Sequence, residues 1–227
     1  MSDIRPFTID IPAQQIADLK TRLALTRWPD KETPNDWSQG IPLAYMQEIQ
    51  DYWLHHYDWP ARQAKLNVSP GFLTELDGLD IHFLHIRSPH ANARPLLLTH
   101  GWPGSIVEFQ KVIAPLTDPT QHGGSADDAF HLVCPTLPGF GFSGKPTTPG
   151  WDIAKIATAW NTLMVRLGYD HYLAQGGDWG AIVTSMIGAQ NLGNCQGIHI
   201  TMPIVPPDPE TMNDLSELEK STLAGLK

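Results

Sequence analysis

The stretch Gln175-Gly176-Gly177-Asp178-Trp179-Gly180 decides the fold of this chain. It stands between an apolar run and a helical pattern. Its order of small residue, any residue, nucleophile, any residue and small residue is typical of a nucleophile elbow, a sharp strand-to-helix turn. Gly176 and Gly180 fill the two small positions, where the backbones pass too close for a Cβ atom. We therefore expect the side chain at position 178 to stand at the tip of that turn.

The nucleophile of this elbow would be the carboxylate of Asp178. A serine at this position transfers acyl groups, whereas an aspartate attacks a carbon that bears a leaving oxygen or halogen and becomes an ester. The partial positive charge at the N-terminus of the following helix favours the ionised carboxylate that this attack requires. The alternative interpretation is an aspartate that only caps the helix, because Asp is a favoured N-cap residue.

A second motif favours the catalytic interpretation. His100-Gly101-Trp102-Pro103-Gly104-Ser105 follows an apolar strand predicted over residues 95–99. This is the place where a fold with a nucleophile elbow builds half of its oxyanion hole. The backbone N–H groups of Trp102 and Trp179 are the predicted donors. They would hold an oxygen of Asp178, where negative charge develops while the ester is hydrolysed.

Aromatic residues near these motifs indicate where a substrate binds. The stretch Pro138-Gly139-Phe140-Gly141-Phe142-Ser143 permits a tight turn, and its two phenylalanines either line an apolar pocket or belong to the core. Four residues are predicted to contact substrate: Trp102, Pro103, Phe140 and Trp179. His100 is predicted to be structural, with its ring shaping the loop by hydrogen bonds. Trp151 and Trp160 are predicted to pack rather than to act in function.

Composition and charge exclude several classes of function. The chain has 227 residues and a net charge of -9 at pH 7, so nucleic acid and anionic membranes would repel it. No apolar stretch reaches the ~20 residues of a membrane span, and the N-terminus lacks the apolar segment of a signal peptide. We expect a cytoplasmic protein without a membrane span and without a nucleic-acid partner.

The cysteines and histidines give no sign of a metal or a cofactor. Cys134 and Cys195 belong to no C-x-x-C pair, and both are predicted to be buried free thiols. The adjacent pair His55-His56 would point in different directions on a helix, and His82 and His85 would lie on different faces of a strand. We predict packing or surface roles for these histidines, and neither metal nor cofactor.

The apolar pattern divides the chain into three parts, predicted at residues 1–70, 71–205 and 206–227. The first part is helical, with helices predicted over 12–28, 42–57 and 61–66. Trp59-Pro60 is predicted to close the second of them. The last part begins in a proline-rich run at 203–209, and a charged helix predicted from residue 212 would start a lid.

The middle part changes period. Asp77-Gly78 predicts a tight hairpin between strands at 72–76 and 79–87, because both residues tolerate positive φ. Strands are then predicted at 95–99, 130–134, 171–174 and 197–201, alternating with helices at 106–116, 153–167 and 179–190. This alternation predicts an α/β fold in which helices cover both faces of a mostly parallel sheet.

The three motifs, read together, resemble those of a known family. GGDWG, HGWPGS and PGFGFS occur behind a helical segment that contains Leu25-Thr26-Arg27-Trp28-Pro29 and Tyr57-Asp58-Trp59. In this combination the chain resembles the microsomal-type epoxide hydrolases. The resemblance implies an N-terminal epoxide-hydrolase region, an α/β-hydrolase core and a lid. It also implies hydrolysis of a small hydrophobic epoxide by water to a vicinal diol, through an ester on Asp178.

Other parts of that family's machinery have no match here. In the family, lid tyrosines donate to the epoxide oxygen, and a histidine oriented by an acid activates water. All five tyrosines of this chain precede Asp178, and the one histidine after it, His199, precedes every later acid. We therefore expect an incomplete α/β-hydrolase fold that ends at the entrance to the lid. Alkylation should be slow, the ester should persist, and an exposed strand at 197–201 should favour homo-oligomers.

Two other functions stay open at this point. A haloalkane dehalogenase shares the aspartyl ester, although dehalogenases that resemble this core usually carry Asn where Trp102 stands. A non-catalytic binding or assembly module would account for the absent histidine and tyrosines. A plain esterase is the least favoured alternative, because Asp178 cannot replace serine in acyl transfer.

Overall fold

A computed structural model of the protein describes residues 3–204, 208–212 and 214–225. The strands are β1 (Arg5–Phe7), β2 (Gly71–Leu76), β3 (Leu79–Ile86), β4 (Arg94–Thr99), β5 (Phe130–Pro135), β6 (Tyr172–Gly176) and β7 (Cys195–Ile200). The helices are α1 (Ala13–Ala24), α2 (Leu43–His55), α3 (Trp59–Leu66), α4 (Ile113–Thr117), α5 (Ile153–Arg166), α6 (Trp179–Gln190) and α7 (Glu217–Gly225). Short 3-10 helices lie at Ile106–Phe109, Pro119–His122 and Ala126–Asp128.

The strands form one mixed sheet in the order β1-β2-β3-β5-β4-β6-β7. The pairs β1-β2, β2-β3 and β3-β5 are antiparallel, whereas β4 is parallel to both β5 and β6, and β7 is parallel to β6. The parallel strands therefore carry the two predicted motifs at neighbouring carboxyl ends, because the loop after β4 and the turn after β6 leave the same edge of the sheet.

The hairpin between β2 and β3 forms as predicted. Asp77 and Gly78 occupy its turn with φ angles of 48° and 79°. Both values are positive, as a two-residue hairpin turn of this kind requires.

Strand β1 was not predicted from the sequence. Arg5 and Phe7 pair with Leu73 and Gly71 of β2, and the Arg5 guanidinium lies 2.6 Å from the Asp80 carboxylate. Three residues are too few to show an alternating pattern. The central Pro6 lacks an N–H group, which only an edge strand tolerates. The neighbouring sheet, rather than the local sequence, makes this segment a strand.

The N-terminal helices form as predicted, but two boundaries differ: α1 ends at Ala24 instead of near residue 28, and α3 begins earlier than predicted. Trp59-Pro60 does not close α2; it opens α3, so that prediction is wrong. Asp58 caps α3, with its carboxylate accepting a hydrogen bond of 3.1 Å from the Ala61 N–H. Proline fits the first helical turn, because its missing N–H would have no partner there.

The helix predicted over 106–116 is broken. A 3-10 helix covers Ile106–Phe109, and α4 starts only at Ile113. In a continuous helix, the ring of Pro115 would clash with the carbonyl group of Lys111. The break places Pro115 in the first turn of α4, where proline is tolerated.

Helices cover both faces of the sheet, as predicted. One face packs on α5 and α6, and its largest fully buried side chains are Trp160, Tyr172, Phe83, Ile81, Leu97, Leu163 and Met164. The other face packs on the 3-10 helix at Ile106–Phe109 and on α4, around Leu84, Leu96, Leu98, Leu132 and Cys134. The sheet therefore separates two hydrophobic cores. Cys134 lies in the second core as a buried free thiol, whereas Cys195 is free but only half-buried, so its predicted burial is wrong.

The N-terminal helices are attached to the sheet by polar side chains. The Asn67 amide accepts a hydrogen bond of 2.9 Å from the Ile9 N–H and donates one of 2.8 Å to the Ile9 carbonyl. The Gln63 side chain accepts from the Ile11 N–H at 2.8 Å. In contrast, α1, α2 and α3 contain no buried residue.

The C-terminal part is exposed where it is described. The charged helix predicted from residue 212 begins at Glu217, as α7, and has no buried residue among those described. Pro206, Pro207 and Lys227, which the sequence places in the lid entrance, lie outside the described residues. Within the part of the chain that is described, no helix is both long enough and apolar enough to cross a membrane.

Candidate active site

The elbow is built at the junction of β6 and α6. β6 ends at Gly176, α6 begins at Trp179, and Asp178 lies between them with φ 52° and ψ -130°. A non-glycine residue is strained at such a positive φ, so the surrounding structure must impose it. The carboxylate is exposed at the tip of this turn, as the sequence predicts.

Close packing of backbones explains the glycines around Asp178. A Cβ atom on Gly176 would overlap the carbonyl group of Gly180, and one on Gly180 would overlap the carbonyl group of Thr99. A Cβ atom on Gly101 would collide with the Asp178 side chain itself. The turn therefore closes only because three glycines let β4, β6 and α6 approach one another.

Backbone N–H groups from two loops meet the Asp178 carboxylate. The Trp102 N–H donates a hydrogen bond of 2.8 Å to Oδ1, and the Trp179 N–H also stabilises the charged carboxylate. Hydrogen bonds from Trp102 and then Trp179 lower the pKa of Asp178 below the usual aspartate range, because they favour the charged form. The Asp178 side chain does not accept the hydrogen bond from the second or third residue of α6 that an N-cap makes, which contradicts the alternative of a simple helix cap.

His100 positions the peptide group that contains the Trp102 N–H. Its ring is fully buried and accepts a hydrogen bond of 3.1 Å from the Leu137 N–H at Nε2. Nδ1 must then carry the proton, and it donates to the Gly101 carbonyl at 2.9 Å. That carbonyl belongs to the same peptide group as the Trp102 N–H. Burial lowers the pKa of His100, which keeps the ring neutral. The structural role predicted for His100 matches these contacts.

A cavity of about 580 Å³ opens beside the elbow. It is lined by Trp102, Leu137, Pro138, Phe140, Trp151, Ile153, Ile156, Trp179 and Val183. Three of the four predicted substrate contacts are among them. Pro103 is exposed and does not line the cavity, so the cavity gives no support to that prediction.

The aromatic residues near the site divide into two groups. Phe140 lines the cavity, whereas Phe142 packs against Phe7 and His82 with ring centroids 5.5 and 5.4 Å apart. Trp160 is fully buried, as predicted, but Trp151 lines the cavity. Sequence reasoning missed Trp151, because a tryptophan just before a helix gives the same signal whether it packs or lines a pocket.

A second cavity, of about 640 Å³, lies over the face of β4, β6 and β7 that α4 leaves open. His199 and Glu108 line it, and His199 is exposed on β7. None of the hydrogen bonds within the described ranges joins His199 to Asp178. Residues 3–204, 208–212 and 214–225 also contain no group of three His, Cys, Asp or Glu side chains that could hold a metal.

Comparison with known proteins identifies the family. The model of the epoxide hydrolase N terminus matches residues 4–109, and that of the alpha/beta hydrolase fold matches residues 94–226. The chain belongs to the alpha/beta hydrolase fold family, and its first half matches the epoxide hydrolase N terminus. The fold class and the family predicted from the motifs are thereby confirmed, and the two matches meet in the segment that contains the Trp102 loop.

Individual epoxide hydrolases are similar over most of the chain. A candidate epoxide hydrolase of Stigmatella aurantiaca is 56% identical over 97% of this chain, which covers 50% of that protein. Epoxide hydrolase 1 of Oryctolagus cuniculus is 37% identical over 89% of this chain, which covers 45% of it. The chain thus spans about half the length of the curated relatives it matches.

Solved epoxide hydrolase structures share the architecture. The Aspergillus niger epoxide hydrolase superposes with a TM-score of 0.84 at 33% identity, over 98% of this chain and 58% of that one. The juvenile hormone epoxide hydrolase of Bombyx mori gives a TM-score of 0.81 at 35% identity, over 89% of this chain and 53% of that one. The architecture that this chain shares with the two solved epoxide hydrolases therefore extends through its N-terminal helices.

Proposed function

We propose that this epoxide hydrolase family member acts on small hydrophobic epoxides through an ester on Asp178, the chemistry that yields vicinal diols. The observation that carries the proposal is the Asp178 carboxylate, exposed at a strained turn while the Trp102 N–H holds its Oδ1 at 2.8 Å. The relatives support the choice of epoxides over haloalkanes, since their names state epoxide hydrolysis.

In the first step, one carboxylate oxygen of Asp178 attacks an epoxide carbon. A new C–O ester bond forms, the ring C–O bond breaks, and the ring oxygen leaves as an alkoxide that takes a proton from water. Because Trp102 occupies Oδ1, we assign the attack to Oδ2. The lowered pKa of Asp178 supplies the ionised form that the attack requires.

In the second step, water adds to the ester carbonyl and loses a proton to a base. The former Oδ1 then carries the negative charge of the tetrahedral intermediate, and the N–H groups of Trp102 and Trp179 lie where that charge develops. Collapse of the intermediate breaks the bond between the acyl carbon and the alkyl oxygen. That oxygen takes the proton back from the base and leaves as the neutral diol, and the carboxylic acid of Asp178 ionises again.

The 227-residue polypeptide by itself is proposed to perform the first step only, and slowly. It has no tyrosine after Asp178 and only His199 as a later histidine. Each positioned acid or base typically contributes ~10²–10⁴-fold to a rate. The ester should therefore accumulate.

Intact-mass spectrometry after prolonged incubation with styrene oxide tests this proposal. We expect one covalent addition per chain, mapped to the peptide that contains Asp178, and no addition to Asp178→Asn. An exposed acid at the other end of β6 offers a matched control, since Asp170→Asn should be modified like the parent. Addition at other residues only would refute the nucleophile. Chloride release from a chloroalkane without reaction of epoxides would favour a dehalogenase instead.

Three further assignments belong to the same proposal. We assign residues 1–70 to an N-terminal epoxide-hydrolase segment, 71–205 to the core and 206–227 to the beginning of a lid. A cytoplasmic location, to be tested by cell fractionation, follows from the sequence alone. Homo-oligomers are supported by the edge position of β7 in the sheet. Light scattering over a range of protein concentrations measures that association.

A further inference from the structure

A cluster of three side chains lies at the end of the sheet away from the elbow. His85 is near the end of β3, His131 is the second residue of β5, and Tyr169 lies in the connection between α5 and β6. The Tyr169 ring is edge-on to His85, with 5.7 Å between the ring centroids, and is stacked on His131 at 6.1 Å. We call these three residues the histidine clasp, because they join three segments that are distant in sequence.

The ring of His131 keeps its hydrogen bond only while it is neutral. Its Nδ1 lies 3.0 Å from the backbone nitrogen of Ser88. The Ser88 N–H can only donate, so Nδ1 accepts and the ring proton is on Nε2. A second proton could bind only at Nδ1, where it would displace the Ser88 N–H. Ser88 is buried, and a buried donor without a partner is costly.

His85 has a hydroxyl group, and not an acid, as its partner. Its Nε2 lies 2.8 Å from the Tyr169 hydroxyl oxygen. The half-buried ring also packs edge-on against Phe72, with 6.2 Å between the ring centroids. A carboxylate at the position of the hydroxyl would stabilise a protonated ring, whereas a neutral hydroxyl compensates a buried charge only weakly.

The charges around the two rings oppose protonation. Arg87, directly after β3, acts on both rings, and the rings would repel each other if both were charged. The acid of the adjoining turn, Asp118, lies 2.9 Å from Nε2 of another histidine, His90. Burial, and then Arg87 and His131, lower the pKa of His85 to about 4. Burial and then Arg87 also lower the pKa of His131.

We propose that the histidine clasp is an acid-sensitive switch: when His85 and His131 take up protons, the Ser88 bond breaks and the α5–β6 connection is released from β3 and β5. The neutral clasp holds these segments together. It is independent of the proposed reaction, because Asp178 follows the opposite end of β6. Release of the clasp therefore leaves the alkylation of Asp178 in the folded protein unchanged.

The direction of the pKa shifts gives the pH range of the switch. Both histidines have a folded pKa below the ordinary value of about 6.5, so the unfolded chain binds protons more tightly than the folded protein. The stability that the neutral clasp contributes is complete above about pH 6.5. It is lost as the pH falls toward the folded value of about 4 for His85.

Hydrogen exchange at the Ser88 amide tests the local step. The protection of this amide, corrected for the intrinsic pH dependence of exchange, is measured at about pH 7 and pH 5. We expect it to fall at least about tenfold in the parent, because one pKa unit corresponds to a factor of ten. In His131→Asn, the amide oxygen can accept from Ser88 at every pH, so the protection should stay constant. Constant protection in the parent would overturn the proposal.

Urea denaturation at the same two pH values tests the effect on stability. The ratio of the unfolding equilibrium constants at pH 5 and pH 7 should be at least about tenfold larger for the parent than for His85→Gln/His131→Asn, which holds no proton at either position. Comparing ratios removes any pH-independent destabilisation by the substitutions. His171→Asn, an exposed histidine in the same connection, is the matched control and should keep the parent ratio. Equal ratios in the parent and the double variant would refute the switch. If the double variant does not fold, the same comparison with His131→Asn alone decides.

Discussion

The helices on the sheet and the N-terminal helices are both predicted from apolar residues in the sequence, yet they differ in burial. Helix α6 buries five of its residues, whereas α1 and α2 bury none. The apolar residues of α1 and α2 face each other across a small cavity and leave Trp53 and Leu19 about half exposed. Periodicity therefore predicts that a helix exists, but not how firmly tertiary packing holds it. The proposed nucleophile, Asp178, lies in the sheet core, where tertiary packing fixes the backbone conformation.

The largest expected effect concerns stability in the two regions. Leu97 is fully buried, and Leu19 is 47% exposed. Leu97→Ala should lower the free energy of unfolding by about 2–5 kcal/mol, through lost burial and an unfilled cavity. The identical substitution Leu19→Ala should cost less than about 1 kcal/mol. Urea denaturation measures both, and equal losses would show that α1 is as firmly packed as the sheet.

A second prediction concerns the elbow. Gly176→Ala should lower the free energy of unfolding by about 1–3 kcal/mol, because the new Cβ atom would overlap the carbonyl group of Gly180. It should also abolish alkylation of Asp178 by shifting the turn. Gly188→Ala in α6 is the matched control, since its Cβ atom would meet only the Ile198 side chain, at 3.2 Å. A Gly176→Ala protein as stable and reactive as the control would contradict the close-packing argument.

A smaller effect is expected at His100. His100→Ala should slow alkylation of Asp178 about five- to tenfold, roughly the contribution of one hydrogen bond of ~1 kcal/mol. His100→Asn retains a donor near the Gly101 carbonyl and should recover part of that loss. The Kd of styrene oxide for the corresponding variants of Asp178→Asn should stay constant, because the ring does not line the cavity. A change in Kd alone would assign His100 to binding instead.

The smallest expected effect is that of pH on the alkylation rate. Hydrogen bonds from Trp102 and Trp179 lower the pKa of Asp178, so the carboxylate stays ionised as the pH falls. The rate constant should be flat from about pH 8 to about pH 5 and decline only below the ordinary aspartate value of roughly 4. Stopped samples analysed by intact mass give this profile. A decline centred near neutral pH would mean that a group other than Asp178 controls the reaction.

Much of the core could be predicted because its local patterns are strong. Helix α6 begins and ends where the sequence predicts, at Trp179 and Gln190, since a glycine-rich turn precedes an apolar run. The contact between Asp178 and Trp102 also follows from the order of the motifs. Strand β1, in contrast, exists because β2 offers an edge to pair with, and a three-residue segment carries no trace of that partner.

The remaining errors arise where one residue has two possible contexts. Trp59-Pro60 can close a helix or open one, and only the Asp58 cap decides between them. Trp151 can pack or line a cavity, depending on how α5 sits relative to the loop after β5. Phe140 and Phe142 are separated by one residue yet serve the cavity and the core respectively. Such choices depend on three-dimensional arrangement, which a local pattern does not contain.

The paired hydrogen bonds between Asn67 and Ile9 have an architectural consequence. The amide imitates a neighbouring peptide group, so the chain leaves the sheet and returns to it at almost the same point. The segment between these two residues, which contains the three N-terminal helices, therefore has its two ends joined by hydrogen bonds. We therefore expect that the helices of this segment can be exchanged for those of a relative without changing the register of the strands. The same holds for a longer loop at 30–40.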